Sequence, residues 1–169
     1  MDFRRKKIRL APDAYRGMRL YFVTICTEKR HPVFAKEPVG KWMVAWLIRL
    51  AARHGFAVHA YCVMPDHVHL LLEGLNEGCD LARFVSAFKQ HTGFAYQQKV
   101  GRRLWQTVYY DHVLRKTEEM NRVAWYIWMN PVRKGLCARP EDWPYSGSQT
   151  MDWMRMLTPP EELWVPPWK

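Results

Sequence analysis

Two histidines in one short segment have the residue types and spacing that most clearly suggest chemistry. His67 and His69 are separated by one valine in a run that begins at Pro65 and continues as Asp-His-Val-His-Leu-Leu-Leu. In a β-strand, residues i and i+2 point to the same face, so the two imidazoles would lie about 7 Å apart at Cα. Two neutral imidazoles at that separation can hold one divalent metal ion. The alternative is a pair of half-exposed histidines on a sheet surface.

The position two residues after His69 limits which class of enzyme the histidine pair indicates. Position 71 is Leu71, not a third histidine, which argues against a histidine-triad nucleotide hydrolase. A metal ion that acts on a phosphate needs at least one more protein ligand and open positions for oxygen. A helix that presents two polar side chains one turn apart could supply that ligand.

Such a pair lies near the end of a predicted helix that runs to about Asn130. Tyr126 and Asn130 are four residues apart and stack on one helix face, with Arg122 on the same side. The Tyr126 hydroxyl could act as a nucleophile, and the Asn130 amide oxygen could bind a metal. The alternative is an amphipathic helix in which Tyr126 is a half-buried border residue and Asn130 only ends the last turn.

A second tyrosine pair competes for the role of nucleophile. Tyr109 and Tyr110 precede Asp111 and His112 in the segment 105–114, which is a weaker strand candidate. Alternation would turn one of the two tyrosines toward the core. Either tyrosine could be the nucleophile in place of Tyr126.

Hydrophobic patterns predict the elements that must position these groups. The order is β-α-β-β-α-β followed by one more helix, which is the order of a ferredoxin-like fold. We therefore expect an α+β protein with a four-stranded antiparallel sheet, two packing helices, an additional tyrosine-bearing helix and a C-terminal tail. The predicted strands are 19–27, 56–64, 67–73 and 105–114, and the predicted helices are 39–54, 81–98 and 118–130.

Composition excludes several classes of protein. The 169 residues fit one domain, and 49% apolar with 14% aromatic residues can bury a core, which excludes extended disorder. No apolar run approaches the roughly 20 residues of a membrane span, and no apolar segment follows the basic N-terminus as in a secretory signal. Four cysteines without a C-x-x-C pair indicate reduced thiols in a cytosolic protein.

The charge balance points to a polyanionic partner. The chain has 26 Lys and Arg against 16 Asp and Glu, a formal net charge of +10. Nucleic acid is the simplest partner for such a surplus. A generically basic surface is the alternative that charge alone leaves open.

Several short motifs in the same order resemble one family over about residues 15–148. The sequence is similar to the single-tyrosine HUH transposases of the IS200-like family, and most of all to the REP-associated tyrosine transposases. The motifs that carry the resemblance are Tyr-Phe-Val-Thr from Tyr21, Met-Pro-Asp-His-Val-His-Leu from Met64, Tyr-Tyr-Asp-His from Tyr109, Tyr-Ile-Trp-Met-Asn-Pro-Val-Arg-Lys-Gly-Leu from Tyr126 and Trp-Pro-Tyr-Ser from Trp143.

The resemblance implies a specific reaction and site. His67, His69 and Asn130 would bind Mg²⁺ or Mn²⁺, and Tyr126 would attack a phosphodiester of single-stranded or hairpin DNA. The products would be a 5′-phosphotyrosine and a free 3′-hydroxyl. The phosphotyrosine bond keeps the energy that is needed to rejoin the strands. The alternatives are a domesticated nucleic-acid-binding module that no longer cleaves, and a metal-dependent phosphoesterase that uses activated water.

Further expectations concern organisation and partners. We expect a basic arm over 1–18, the transposase domain over 19–148 and a Trp- and Pro-rich tail over 149–169. The resemblance further implies action on palindromic repeats, by a monomer or homodimer, in the bacterial cytoplasm at the nucleoid. The residues expected to contact DNA are Arg4, Arg5, Lys6, Lys7, Arg9, Arg115 and Arg122.

Overall fold

A computed structural model of the chain describes residues 11–115, 118, 120–156, 160–161 and 164–169. The expected basic arm residues Arg4, Arg5, Lys6, Lys7 and Arg9 lie outside the described residues. In chain order the strands are β1 Leu20–Cys26, β2 Phe56–Met64, β3 His67–Gly74, β4 Tyr110–Val113 and β5 Ser146–Gly147. The helices are α1 Glu37–Arg53, α2 Leu81–Val100, α3 Met120–Trp128 and α4 Asn130–Arg133, and short 3₁₀ turns lie between some of them.

The strands form one antiparallel sheet in the order β4-β1-β3-β2-β5. This confirms the predicted α+β class, and the two-residue β5 adds a fifth strand to the four that the sequence predicts. β3 lies in the middle of the sheet, hydrogen-bonded to β1 on one side and to β2 on the other. The histidine segment is therefore held by backbone hydrogen bonds on both edges.

Alternation along β3 separates two cores on the two faces of the sheet. Val68, Leu70 and Leu72 pack into the cluster beneath α1 and α2. Leu71 faces the other way, into a cluster that includes Val123 and other apolar residues of α3. His67 and His69 share that second face, because side chains two residues apart along a strand point the same way.

Local signals place the helix ends largely as expected. The Asp80 carboxylate accepts a hydrogen bond from the Arg83 backbone N–H at 3.0 Å, and α2 begins immediately after this cap. α2 ends at Gly101, whose φ of 72° is a left-handed conformation that glycine adopts without strain. The residue expected to cap the tyrosine helix, Thr117, lies outside the described residues.

Two predicted elements differ in extent. The strand predicted over 105–114 is only four residues long. Trp105 forms an isolated bridge with Thr27, and the Lys89 ammonium then takes the carbonyls of Gln106 and Thr107, so the pairing does not continue to β4. The tyrosine helix ends at Trp128, and the short α4 follows after Met129. Pro131 has no N–H for the carbonyl four residues before it, which explains the irregularity. The 4-residue spacing of Tyr126 and Asn130 still keeps them on adjacent turns.

Two further findings concern the rest of the fold. Cys26, Cys62, Cys79 and Cys137 are all free thiols, as the sequence predicts. Among the described residues, no helix combines the length and the apolar character that crossing a bilayer requires.

Candidate active site

A cavity of about 350 Å³ lies on the α3 face of the sheet and brings together the residues that the sequence singles out. Three strands form its floor and one side, and α3, α4 and the tail form the other side. Its lining residues are Thr24, Cys26, Arg30, His67, His69, Tyr110, Tyr126, Asn130, Lys134, Pro166, Trp168 and Lys169.

The sheet register fixes the histidine pair. His69 lies opposite Thr24 of β1, and His67 lies opposite Cys26. Both histidines are buried, at 5% and 6% exposure, so the half-exposed alternative does not describe them. Their Nε2 atoms are 3.0 Å apart, and the two rings meet edge to face. The strand backbone therefore aims two ring nitrogens at one point.

A hydrogen-bond partner on the far side of each ring sets its orientation. His67 Nδ1 lies 2.6 Å from Asp66 Oδ1, and His69 Nδ1 lies 2.8 Å from Thr24 Oγ1. An ionised carboxylate only accepts, so the proton of His67 belongs on Nδ1 and its Nε2 carries a lone pair. The Thr24 hydroxyl can likewise accept from His69 Nδ1. Such outer partners are the usual support of metal-binding histidines.

The protonation equilibria favour neutral imidazoles. Burial lowers the pKa of His67, and the adjacent Asp66 carboxylate offsets only part of that effect. Burial also lowers the pKa of His69 well below its usual range, and the positive charge of Lys169 lowers it further. Both rings are therefore uncharged near pH 7, which is the form that binds metals.

The donor set fits a divalent cation. Octahedral ligands about 2.1 Å from a cation lie about 3.0 Å from one another when they are neighbours, and the Nε2 atoms of His67 and His69 are 3.0 Å apart. No three His, Cys, Asp or Glu side chains come together as a metal site in the described part of the chain. Within that part of the chain, a third protein ligand would have to be of another residue type. Asn130, which is 5% exposed and lines the same cavity, carries an amide oxygen of the type that binds hard cations.

Tyr126 lies in the same cavity with two cations against it. Its ring is edge-on to His69, with the ring centroids 6.0 Å apart. The Arg133 guanidinium carbon is 4.3 Å from the centroid of the Tyr126 ring, within range of a cation–π contact. Lys169 Nζ donates a hydrogen bond to the Tyr126 hydroxyl at 2.6 Å. Two positively charged side chains therefore contact this tyrosine, one at its hydroxyl and one at its ring face.

The other predicted site residues lie elsewhere or in different surroundings. Arg122 is half-buried and is not among the lining residues of the cavity. Arg115 is exposed after β4. Tyr110 lines the cavity and stacks on Trp168 with ring centroids 5.7 Å apart, so it stays an alternative nucleophile. Tyr109 packs against the cluster on the opposite face of the sheet.

Sequence reasoning does not find four residues that line the cavity or support its histidines from behind. Thr24 and Asp66 support the histidines, Arg30 lines the wall beside them, and Lys169 reaches Tyr126. Asp66 could be found from its place in the turn before His67. Thr24 becomes visible only when the β1–β3 register is known, and no periodicity places Lys169.

Comparison with known proteins assigns the chain. The sequence pattern of the family described as Transposase IS200 like matches residues 18–130. This chain belongs to that family. IS200-like transposases are tyrosine transposases, which are DNA endonucleases and strand transferases that act on single-stranded or hairpin DNA and depend on a metal.

Two relatives of this IS200-like transposase have lengths similar to its own. The REP-associated tyrosine transposase of Escherichia coli (strain K12) is 28% identical over 122 residues, which cover 66% of this chain and 71% of the relative. A Haemophilus influenzae protein assigned to the same class is 28% identical over 139 residues, covering 75% of this chain and 78% of the relative.

A solved structure supports the fold of this IS200-like transposase. It is a REP-associated tyrosine transposase bound to a REP hairpin, and it aligns with a TM-score of 0.68 and 22% identity. The alignment covers 94% of this chain and 88% of the other. A transposase structure from Deinococcus radiodurans aligns with a TM-score of 0.51 and 23% identity over 69% of this chain and 88% of the other.

Proposed function

We propose that this chain cleaves and rejoins hairpin-forming single-stranded DNA, with Tyr126 as the nucleophile and His67, His69 and Asn130 as ligands of Mg²⁺ or Mn²⁺. The observation that carries the proposal is that all four side chains line one cavity in a chain of the IS200-like family. The hairpin is the ligand of the aligned REP-associated structure. Action on repeated palindromes of a bacterial chromosome would place the protein in the cytoplasm at the nucleoid.

The roles follow from the chemistry of the groups. The Tyr126 oxygen attacks phosphorus, the bond from phosphorus to the 3′ oxygen breaks, and the proton lost by the phenol is balanced by one gained at the 3′-hydroxyl. The 5′-phosphotyrosine keeps the energy of the broken ester, so a later 3′-hydroxyl can reverse the step. When bound, the divalent ion neutralises charge on the non-bridging phosphate oxygens. Lys169 Nζ donates a hydrogen bond to the Tyr126 oxygen, and the Arg133 guanidinium lies over its ring, so both cations face the attacking group.

The metal assignment rests on the ligand types. An amide oxygen with open positions for phosphate and water suits hard cations such as Mg²⁺, and two imidazoles shift the preference somewhat toward Mn²⁺. The expected order of support for cleavage is therefore Mn²⁺ first and Mg²⁺ second.

The test is formation of a covalent protein–DNA adduct. Hairpin DNA labelled at its 3′ end is incubated with the chain and Mn²⁺ and is then resolved on a denaturing gel. The label stays with the protein because Tyr126 retains the 5′-phosphate of the downstream strand. The Tyr126→Phe variant should form no adduct, while Tyr110→Phe should form it at the wild-type level.

Other outcomes identify the alternatives. Loss of the adduct in Tyr110→Phe with retention in Tyr126→Phe would move the nucleophile to β4. Cleavage without an adduct in the wild type would indicate activated water, and salt-dependent binding without cleavage in any metal would indicate a binding module.

A further inference from the structure

The turn that follows β1 has an unusual backbone. Lys29 and Arg30 have φ angles of 52° and 58°, in the left-handed region that side-chain-bearing residues rarely adopt. Elsewhere in the described ranges, positive φ occurs only at glycines. Two consecutive non-glycine residues in this region are strained. Such strain persists only where surrounding contacts hold the backbone in place, and it is frequent at functional sites.

Hydrogen bonds tie this turn to the turn before β3. The Thr27 backbone N–H and the Thr27 hydroxyl both donate to the Asp66 carbonyl, each at 2.9 Å. The Arg30 side chain then reaches the same residue, with Nε 2.8 Å from Asp66 Oδ2. Its Nη1 donates to Cys26 Sγ at 2.8 Å, which fixes the plane of the guanidinium.

Asp66 is the link between Arg30 and the histidine pair. One carboxylate oxygen contacts the guanidinium, and the other contacts His67 Nδ1 at 2.6 Å. Because both oxygens of the Asp66 carboxylate have a partner, its rotation away from the His67 imidazole would break the contact with Arg30. Arg30 also lines the cavity, and a guanidinium carries five N–H donors, so donors remain after the contacts to Asp66 and Cys26.

We propose that Arg30 is a positioning residue of the metal site: through Asp66 it fixes the orientation of His67, and the strained turn exists to place it there. This inference rests on the proposed role of His67 as a metal ligand. Lysine could supply the charge but not two N–H groups in one plane, one for Asp66 and one for Cys26.

The test is Mn²⁺ affinity, measured without DNA by electron paramagnetic resonance of the free ion as it is titrated into the full chain. Arg30→Gly should weaken binding about tenfold, the lower end of the range for outer-sphere partners of metal ligands. Its thermal midpoint without metal should equal or exceed that of the wild type, because glycine relieves the strain and a partly exposed ion pair adds little stability. Mn²⁺ affinity would thus fall while the thermal midpoint stays the same or rises.

The matched control is Lys29→Gly, which relieves the same kind of strain at the neighbouring residue and keeps the Arg30 side chain. It should leave Mn²⁺ affinity within about twofold of wild type. Asp66→Asn should weaken binding as Arg30→Gly does, and the double variant should be no weaker than Asp66→Asn alone, since the two residues act in series.

Additive losses in the double variant, or wild-type affinity in Arg30→Gly, would overturn the proposal. Unchanged affinity in His67→Ala would remove both this inference and the proposed metal site. The expected ranking of affinities without a DNA adduct would remove the proposed transposase chemistry and leave the role of Arg30 in place.

Discussion

The two sides of the cavity are built in different ways. The strand wall consists of Thr24, His67 and His69 on β1 and β3, where paired backbones fix each side chain. The helix wall consists of Tyr126 and Asn130 with the tail residues Trp168 and Lys169. Side-chain contacts between segments far apart in sequence hold the helix wall, such as the Lys169–Tyr126 hydrogen bond. Under the proposed function, the strand wall would hold the metal rigidly, and the helix wall would carry the nucleophile, which has to approach phosphorus.

Removal of a strand-wall ligand should have the largest effect. We expect His69→Gln to weaken Mn²⁺ binding by at least about 100-fold and to abolish the DNA adduct, because one of two imidazole ligands is lost. A Mn²⁺ titration and the 3′-label gel measure the two effects. The control is His59→Gln on β2. The His59 ring is hydrogen-bonded to Glu73 and Thr150 and does not line the cavity. Equal losses in both variants would contradict a special role for the strand wall.

Loosening the tail should destabilise the protein without weakening the metal site. Trp164 is 9% exposed, packs on Phe22 and Tyr126, and donates its indole N–H to Glu118. We expect Trp164→Ala to lower the free energy of unfolding by about 2–3 kcal/mol and the thermal midpoint by roughly 5–10 °C.

The control for this variant is Val165→Ala, because Val165 is 60% exposed and should tolerate truncation. Mn²⁺ affinity should stay at the wild-type level in both tail variants. A drop in affinity in Trp164→Ala would show that the strand wall depends on the tail.

A smaller effect should follow from loss of the partner behind His69. Thr24→Val keeps the shape of the side chain but removes the oxygen that lies 2.8 Å from His69 Nδ1. We expect about tenfold weaker Mn²⁺ binding, since the ring is no longer fixed in orientation and tautomer. Thr24→Ser restores the oxygen and should restore the affinity. Equal affinity in the valine and serine variants would remove Thr24 from the support of the metal.

The helix-wall ligand should contribute least. Asn130→Ala should weaken Mn²⁺ binding about fivefold, close to 1 kcal/mol, because water can replace a neutral amide oxygen. Asn130→Asp should bind Mn²⁺ more tightly than wild type, since a carboxylate is a charged hard ligand. Unchanged affinity in both variants would restrict the protein ligands to the strand wall.

The difference between the walls also explains what sequence reasoning could reach. The alternation around His67 and His69 predicts that they share a face, because strand geometry converts spacing directly into direction. The 4-residue spacing of Tyr126 and Asn130 works in the same way along a helix. Both are local relations, and the cavity contains all four residues.

Contacts between segments far apart in sequence could not be predicted from the sequence alone. The partnership of Thr24 with His69 depends on the β1–β3 register, and Lys169 meets Tyr126 only through packing of the tail. The prediction of β4 was too long because the carbonyls of Gln106 and Thr107 accept hydrogen bonds from Lys89 of α2, a tertiary contact that overrides strand propensity. The proposed domain bounds, with a tail over 149–169, stay a prediction.

The central position of β3 in the sheet predicts the order in which parts of the protein unfold locally. Amide protons along His67–Gly74 are flanked by strands on both sides and should exchange with solvent only when the whole domain opens. Segments held by side chains alone, such as the last tail residues, lie at the opposite end of this hierarchy. If His67 and His69 bind a metal as proposed, the ion could be removed and replaced under native conditions, and a bound nucleic acid could displace the last tail residues, while β3 stays folded.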